Sequence, residues 1–436
     1  MGEKVSCVLI YMYFLFNIQL AVFTESTGKL IYHGLPIIIL LVFWRYTKRM
    51  LAYMRQDMIK ILFVLLLFVG AMIWGLLMVV LQNGEPSGLL YLGNAISGIF
   101  RFLALTVLIM RVYPQNTYEN FMKIYVLCNV IYVMASVVLL LLPDLKQIWS
   151  TMIITPDKMV EKGDMILNST RYGLAGYSGF SNTLFCSISV WMCLYLLEMK
   201  QISRWWNVAI VVLLVGNMLY GRSGLIISLG MFLVMNLRIL SFKRLKTLII
   251  GIGSCGLLIA GAVWYATQEP IIAVWIDWVS EPVAAFIDGA VQGEISFGGS
   301  GNQLVEEMWF LPDNDSVILI GDGRFINADG TYYMYTDTGP MRQMFFYGII
   351  GSLLSYISLL LLLYIYYLRV ESKIYRWHKF YVAILLILIA FMEFKGLTFN
   401  TYYGVILALL CSYNATNICT ERRGNGVDYK RGYVGI

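Results

Sequence analysis

The chain has 436 residues, of which 59% are hydrophobic and 13% are charged. Soluble domains are about half apolar and about a quarter charged, so this composition excludes an ordinary water-soluble protein and indicates a polytopic membrane protein. The formal net charge is +6. Because the Lys and Arg residues mostly flank apolar runs, we interpret that charge as a topology signal and not as a sign of nucleic-acid binding.

The apolar runs are long enough to cross a bilayer repeatedly. A hydrocarbon core of roughly 30 Å needs about 20 apolar residues in helical form. The pattern predicts an all-α polytopic membrane protein, a single integral membrane domain over 1–436 with about twelve transmembrane helices. The first run has Lys4 before it and no small-residue cleavage site after it, so we interpret it as a retained helix. The runs lie near 6–24, 30–45, 59–81, 89–112, 121–142, 182–199, 205–220, 223–240, 247–267, 341–368, 380–394 and 398–418.

The distribution of charge along these runs predicts the orientation of the chain. If the chain starts in the cytoplasm, the inner segments hold most of the Lys and Arg and the outer segments most of the Asp and Glu. The positive-inside rule then places both termini in the cytoplasm. It also predicts two long external loops, 144–181 and 268–340, and a cytoplasmic tail over 419–436.

Metal and disulfide chemistry find little support in the sequence. The seven cysteines fall in or beside apolar runs without a CxxC pattern, and the two histidines are His33 and His378. Such a set lacks the usual spacing of a disulfide framework or a metal site. We expect neither a metal nor a cofactor.

The 268–340 loop is the longest departure from the membrane, and its end is polar. It closes with Asp337-Thr338-Gly339-Pro340-Met341-Arg342, directly before the apolar stretch 344–368. Charged groups are thereby held where water meets lipid, which a purely structural span does not require. This arrangement indicates chemistry at the outer membrane face on a substrate with a lipid-anchored end.

Two outer arginines are candidates for binding phosphate. Arg222 lies in Tyr220-Gly221-Arg222-Ser223-Gly224, between apolar runs so close together that their helices must reverse tightly, which glycine allows. Its guanidinium either binds phosphate bidentately or extends to the lipid headgroups. Arg171 ends the polar part of the first long loop. Together the two arginines can hold one diphosphate, although a solvated loop arginine is an equal alternative for Arg171.

Two further arginines have uncertain roles. Arg342 either joins the first two or anchors its helix at the interface. Arg101 lies near the middle of the predicted span 89–112, where a charge is costly, so we expect it to face the protein interior and to have a partner. That partner is either an acidic residue in a structural ion pair or a polar cavity.

Asp337 is the best candidate for a general base, because such a group must lie near the reacting hydroxyl. It equally suits the N-cap of the helix that follows. Glu306 and Glu307 are alternatives on the same loop. Glu393 and Lys395 lie together at another short outer turn, where we interpret them as a mutual salt bridge.

Taken together and in this order, these segments resemble the O-antigen and capsular polysaccharide polymerases (Wzy-type), to which the O-antigen ligases are related. The similarity covers about residues 165–352. The matching pieces are the stretch from Arg171 to Asn182 before a span, the Gly-Arg-Ser-Gly break at Arg222, and a large outer loop that ends in Asp-x-Gly at Asp337. Gly348-Ile349-Ile350-Gly351 follows shortly after.

The resemblance implies a GT-C-like polymerase/ligase architecture in the bacterial inner membrane. It implies transfer of a growing glycan from one undecaprenyl diphosphate carrier to the sugar of another lipid-linked repeat unit, without metal or nucleotide sugar. The implied partners are that lipid-linked oligosaccharide as donor and acceptor, the bilayer, and a chain-length regulator. The implied catalytic residues are Asp337, Arg222 and Arg171, and the implied diphosphate ligands are Arg171, Arg222, Arg342 and Arg101.

Three alternatives stay open. Ligases carry a histidine where this chain has Asp337, which favours a polymerase over a ligase-type glycan transferase. A lipid-linked oligosaccharide flippase or another transporter fits twelve spans equally well, but transporters usually show two related halves. Here only the second half carries a loop like 268–340. A metal-dependent membrane glycosyltransferase would be expected to have acidic residues in the first outer loop, which here offers only Glu25.

Overall fold

The computed structural model describes residues 2–81, 86–154, 171–177, 179–237, 299–327, 331–370 and 377–424, and isolated positions between 261 and 291. Most of these residues are helical. Nearly all of the predicted span 247–267 lies outside the described residues.

Helices and one short hairpin follow each other along the chain. The first half contains α1 (Gly2–Phe16), α2 (Glu25–Val42), α3 (Trp44–Tyr53), α4 (Met58–Leu81), α5 (Pro86–Val112), α6 (Thr117–Leu141), α7 (Pro143–Met152), β1 (Tyr172–Gly173), β2 (Gly176–Tyr177) and α8 (Phe180–Glu198). The second half contains α9 (Asn207–Tyr220), α10 (Arg222–Leu237), α11 (Gly299–Glu306), α12 (Asp315–Ile320), α13 (Gly339–Arg369), α14 (His378–Lys395) and α15 (Phe399–Gly424).

The protein is an all-α membrane protein. Among the described residues, six helices are long and apolar enough to cross a bilayer, namely α2, α4, α5, α6, α8 and α13. The apolar helices α9 and α10 are shorter than a full span. The predicted total of twelve spans stays a prediction.

Helix α4 illustrates how these helices divide their surface between lipid and protein. Leu62, Phe63 and Leu66 are exposed, whereas Val64 and Phe68 on the other side are buried. The one charged residue of α4 is Lys60 in its first turn, and an exposed row of large apolar side chains beyond it is stable only against hydrocarbon. The buried row of α4 packs mainly against α13.

The first predicted span, 6–24, is wrong in its extent. Helix α1 ends at Phe16, and Asn17 adopts a left-handed conformation with φ 52°. Asparagine tolerates this conformation better than most residues, and it ends a helix. The chain beyond it is extended, and Ala21 N donates to Met152 O at 2.8 Å. A run of apolar residues does not reveal such a stop.

Two predicted non-helical regions contain regular structure. The first long loop, 144–181, includes most of α7 and the hairpin β1–β2. The predicted tail, 419–436, begins inside α15, which continues to Gly424. Other parts of these two regions, residues 155–170 and 425–436, lie outside the described residues.

The centre of the molecule is formed by α8 and α15. Trp191 and Tyr195 on α8 and Tyr402 and Tyr403 on α15 are each fully enclosed. Trp191 Nε1 donates to Tyr381 O at 2.8 Å, so the aromatic polar atom is satisfied inside the bundle. Both helices begin at the same end of the bundle, because residues at their N-termini line one cavity.

Helix α13 is discontinuous at Gly348, whose φ of 64° and ψ of −174° are not helical. The break interrupts the helical hydrogen bonds around it, and the freed carbonyls bond instead to part of 268–340, which we call the external segment after its predicted position. Asp322 N donates to Phe345 O at 2.8 Å, and Gly323 N donates to Phe346 O at 3.2 Å. Backbone groups at membrane depth require such partners, because lipid offers none.

Two glycines allow the segment that fills this break to pack closely against the backbone of the neighbouring helices. Gly321 and Gly323 both have positive φ, and a Cβ at Gly323 would lie 2.7 Å from the backbone of Met78 on α4. From α4 itself, Trp74 Nε1 donates to Tyr347 O at 2.8 Å. The Gly-Asp-Gly segment therefore packs against both α4 and the broken α13, and no side chain fits at Gly321 or Gly323.

Replacement of Gly348 by alanine is expected to destabilise the protein. The substitution places a Cβ against Leu319 O in a conformation that L residues rarely adopt, which costs about 2 kcal/mol or more. We expect a lower melting temperature of the detergent-purified protein. Gly70→Ala on α4, where a Cβ meets nothing within 4 Å, is the control and should melt like the wild type. Equal melting of both variants would contradict the interlocked break.

Candidate functional site

Arg171 is positioned by the hairpin β1–β2. It immediately precedes β1, and the hairpin turns back at Gly176, whose φ is 80°. Tyr172 of the hairpin is buried, which anchors the strand. Arg171 Nη1 donates to Tyr177 Oη at 3.5 Å. The arginine is therefore attached to a folded hairpin and does not belong to a solvated loop.

Arg222 lies at the reversal that the sequence predicts. Helix α9 ends at Tyr220 and α10 begins at Arg222, so Gly221 alone separates them. Thr183 of α8 donates from Oγ1 to Gly221 O at 3.0 Å, and a Cβ at Gly221 would lie 3.0 Å from Thr183 Oγ1. Glycine allows this close approach, and the turn is thereby fixed against the N-terminal end of α8.

A buried polar seam supports that turn. Asn217 accepts from Thr183 Oγ1 at 3.0 Å and donates to Ser228 Oγ at 2.9 Å. Ser228 in turn donates to Ser187 Oγ at 3.2 Å. Small polar residues that bond across helices stabilise close helix packing in membranes. The seam joins α8, α9 and α10 directly beneath Arg222.

The two arginines meet on one aromatic ring. The guanidinium carbons of Arg171 and Arg222 each lie 4.7 Å from the ring centroid of Trp278. At that distance each cation interacts favourably with the ring face. Residues separated widely in sequence are thus brought together, as the pairing of Arg171 with Arg222 requires.

Arg222 already holds an anion, the carboxylate of Glu281. Nη1 lies 2.6 Å from Glu281 Oε2 and donates to Trp278 O at 2.7 Å. The Arg222 side chain is 14% exposed and that of Glu281 is 39% exposed. An oxygen anion is therefore bound where the sequence predicts a phosphate, and the ligand comes from the protein's own external segment.

Asp337 is half-buried and does not cap the following helix. The N-cap of α13 is Thr338, which makes no side-chain capping bond. The carboxylate of Asp337 is thus not committed to that role. Gly339 passes so close to the turn after α14 that a Cβ there would lie 2.5 Å from Glu393 Oε1. The end of the external segment is therefore packed on that turn.

The expected salt bridge between Glu393 and Lys395 is wrong. Glu393 is buried and accepts from Tyr356 Oη at 2.8 Å and from Thr398 N at 2.7 Å. Its carboxylate fixes the turn because it satisfies the backbone there. The ammonium group of Lys395 interacts with other charged groups instead.

Lys395 lies within electrostatic reach of three charged groups, Asp337, Arg171 and Arg222. Gly396, the next residue, packs against the ring of Phe180: a Cβ at Gly396 would lie 2.6 Å from Phe180 Cε1. The turn after α14 is thereby held against the start of α8. Three cations and the carboxylate of Asp337 accordingly meet at this end of the bundle.

Arg342 has a different environment. Its side chain is only 9% exposed, and its guanidinium carbon lies 3.7 Å from the Tyr332 ring centroid and 4.2 Å from that of Phe325. Asp337 contributes to its electrostatic surroundings. Arg342 is therefore enclosed by aromatic rings of the external segment, which suits anchoring of that segment better than contact with a diphosphate.

Arg101 lines a polar cavity, and the alternative of a structural ion pair is wrong for the part of the chain that the structure describes. Its guanidinium donates to the carbonyls of Phe14 and Ser97, and no carboxylate lies within 4.0 Å among those residues. The cavity has a volume of about 360 Å³ and also includes Tyr177 and Asn400.

Sequence reasoning gave no role to Trp278 or Glu281 and misassigned Lys395. Trp278 and Glu281 are three residues apart, so on a helix they share a face, which is the signal that was present. Lys395 is a cation in a predicted outer turn, against the positive-inside trend. Glu306 and Glu307 are exposed, and the described contacts do not connect them with the arginines.

Comparisons of the chain with protein-family models, with curated proteins and with solved structures found no match. The function is therefore inferred from the geometry of the site. Two arginines lie on one indole ring, and Lys395 lies within electrostatic reach of both and of Asp337. Such a cluster can bind an oligoanion such as a diphosphate, once Glu281 is displaced from Arg222.

Removal of the Glu281 charge is expected to strengthen anion binding. In Glu281→Gln the carboxylate of Glu281 no longer competes for Arg222, so the affinity for inorganic diphosphate should rise about two- to fivefold, as a partly exposed ion pair suggests. Isothermal titration calorimetry on the detergent-purified protein measures it. Glu307→Gln, an equal charge change on the same segment, should leave the affinity unaltered. An unchanged or weaker affinity in Glu281→Gln would show that Glu281 does not occupy the anion site.

Proposed function

We propose that this chain is a glycosyltransferase that polymerises undecaprenyl-diphosphate-linked oligosaccharide repeat units into a surface polysaccharide. The observation that carries the proposal is the convergence of Arg171 and Arg222 on Trp278, with Lys395 and Asp337 within electrostatic reach. These groups come from separate segments at one end of a bundle of apolar helices. Cations beside a carboxylate and next to lipid suit transfer from a lipid diphosphate.

The proposed reaction is a single displacement at the anomeric carbon of the donor glycan. A hydroxyl of the acceptor sugar forms the new glycosidic C–O bond, while the bond from the anomeric carbon to the diphosphate oxygen breaks. The electron pair leaves with undecaprenyl diphosphate, and the hydroxyl proton passes to a base. Positive groups placed where the leaving charge develops lower the barrier, because they stabilise it more than the ground state.

The residues divide these tasks by their chemistry. Arg171 and Arg222 bind the diphosphate of the donor, and Lys395 adds a point charge beside them. Asp337 accepts the proton or orients the acceptor sugar, since its carboxylate is not used as a helix cap. Arg342 holds the segment that carries Asp337. The exposed apolar helix faces contact the bilayer, through which the polyprenyl chain approaches.

The remaining features of the proposal concern topology and partners. Twelve spans with both termini in the cytoplasm place the charged end of the bundle on the outer face of the bacterial inner membrane. An architecture of the GT-C-like polymerase/ligase type accommodates a large external segment above the spans. The lipid-linked oligosaccharide acts as donor and acceptor, and a chain-length regulator is the proposed protein partner.

Replacement of Arg222 is expected to abolish polymer formation. In a strain that lacks the chromosomal copy, Arg222→Gln should give lipid-linked single units on the outer face and no ladder on gel electrophoresis, because the leaving diphosphate lacks its cation. Arg111→Gln is the matched control, since Arg111 likewise contacts a carboxylate and an aromatic ring, those of Glu3 and Phe43. It should give a normal ladder. Accumulation of units facing the cytoplasm would instead indicate a flippase.

Replacement of Asp337 tests the proton acceptor separately. Asp337→Asn should lower the rate at which isolated membranes elongate lipid-linked repeat units by about 10²- to 10⁴-fold, the usual contribution of a general base. Asp313→Asn, an exposed aspartate on the same segment, should retain the wild-type rate. A wild-type rate for Asp337→Asn would exclude the role as base and leave the arginine assignment intact.

A further inference from the structure

The cavity around Arg101 lies between the ends of several helices. Its walls come from the end of α1, from α5 around Gly98 and Arg101, and from the first turns of α8 and α15. The volume of about 360 Å³ falls within the range of small-molecule sites. The cavity therefore has room for about one monosaccharide.

Arg101 lines this space, and its positive charge has no carboxylate partner among the described residues. It donates from Nη1 to Phe14 O at 3.3 Å and from Nε to Ser97 O at 3.4 Å, and its guanidinium carbon lies 4.4 Å from the ring centroid of Tyr32. Carbonyls and a ring do not neutralise a full charge. A cation retained within a spanning helix usually marks a functional site with an anionic partner.

The rest of the lining suits a sugar. Asn94, Asn182 and Asn400 contribute amide groups, and Phe102 and Phe185 contribute aromatic surface. Asn400 Oδ1 is buried and has no hydrogen-bond partner, which is costly unless a ligand or water donates to it. Amides both donate and accept, as sugar hydroxyls require.

The cavity adjoins Arg171 of the cationic cluster through one shared neighbour, Tyr177. Tyr177 lines the cavity and accepts the hydrogen bond from Arg171 Nη1 at 3.5 Å. A sugar in the cavity would therefore lie beside a diphosphate held by Arg171 and Arg222. One guanidinium can bind one planar carboxylate in bidentate geometry. Because Arg171 and Arg222 would hold the diphosphate, an acidic group on the sugar is the anion left for Arg101.

We propose that the Arg101 cavity is a sugar subsite that selects a negatively charged residue, such as a uronic acid, of the lipid-linked oligosaccharide. The proposal rests on the proposed function for the identity of the oligosaccharide, whereas the subsite itself is tested by binding alone. Arg101 thereby recognises a sugar carboxylate, and the diphosphate belongs to Arg171 and Arg222.

Binding of model glycosides to the full-length protein in detergent tests this subsite. The probes are the methyl glycosides of glucuronic and galacturonic acid, their uncharged parents, and inorganic diphosphate, each measured by calorimetry. We expect a uronide to bind at least about tenfold tighter than its parent, as a charge-assisted hydrogen bond suggests. Arg101→Gln should remove that preference and leave the diphosphate affinity within about twofold, while Arg222→Gln should do the reverse.

A second variant, Gly98→Leu, keeps the charge of Arg101 and fills the cavity. A Cβ at Gly98 meets only Arg101 Nη2, at 3.5 Å, so Gly98→Leu should fold and should occlude the cavity. It is expected to weaken uronide binding about tenfold or more. Gly93→Leu on the same helix is the control, because Gly93 has nothing within 4 Å and does not line the cavity. Melting temperatures verify that both variants fold.

Three outcomes would overturn the subsite. They are equal affinity of uronides and parents for the wild type, a normal preference in Gly98→Leu, and loss of diphosphate binding in Arg101→Gln. The last would assign Arg101 to the diphosphate. A uronide preference that depends on Arg101, together with a normal polymer ladder in Arg222→Gln, would uphold the subsite while the proposed polymerase mechanism failed.

Discussion

The rest of the site depends on the insertion of the Gly-Asp-Gly segment, residues 321–323, into the break of α13. Helical carbonyls at Phe345 and Phe346 are freed at Gly348, and the amides of the external segment satisfy them. Because lipid supplies no donors, the break and the segment require each other. The external segment is thereby fixed to the spanning helices at its middle. Its end, at residues 336–339, is then fixed by Arg342 among aromatic rings and by the turn after α14.

Fixed backbone explains how so many charges gather at one end of the bundle. Arg171 depends on a hairpin, Arg222 on a one-residue turn above a polar seam, and Lys395 on a turn held by the buried carboxylate of Glu393. Each cation projects from a rigid element, so mutual repulsion cannot separate them. Trp278 and Glu281 offset part of that repulsion, the former through its ring and the latter through its charge. The same arrangement leaves the cluster ready to exchange an internal carboxylate for an anionic substrate.

Several local features followed from sequence alone, while others did not. The reversal at Arg222 was predictable because glycine beside two apolar runs leaves no room for a loop. The interior position of Arg101 was predictable because a charge inside a span cannot face lipid. The end of α1 at Phe16 was not predictable, since apolar residues continue to Phe23 around the isolated polar residues Asn17 and Gln19. The hydrogen bonds of Glu393 were not predictable either. Lys395 is the nearer charged residue in sequence, but the geometry of the turn brings Thr398 N to the Glu393 carboxylate.

The sequence by itself determined the membrane class, the approximate positions of the helices and the small set of arginines and carboxylates worth attention. These depend on local composition and on the cost of charge in lipid, which act within a few turns of helix. Only the tertiary structure decided that Arg171 and Arg222 share Trp278, that Glu281 holds Arg222, and that Arg101 opens to a cavity. Those contacts join residues far apart along the chain. They depend on how helices pack and where backbone breaks are filled, which no local pattern encodes.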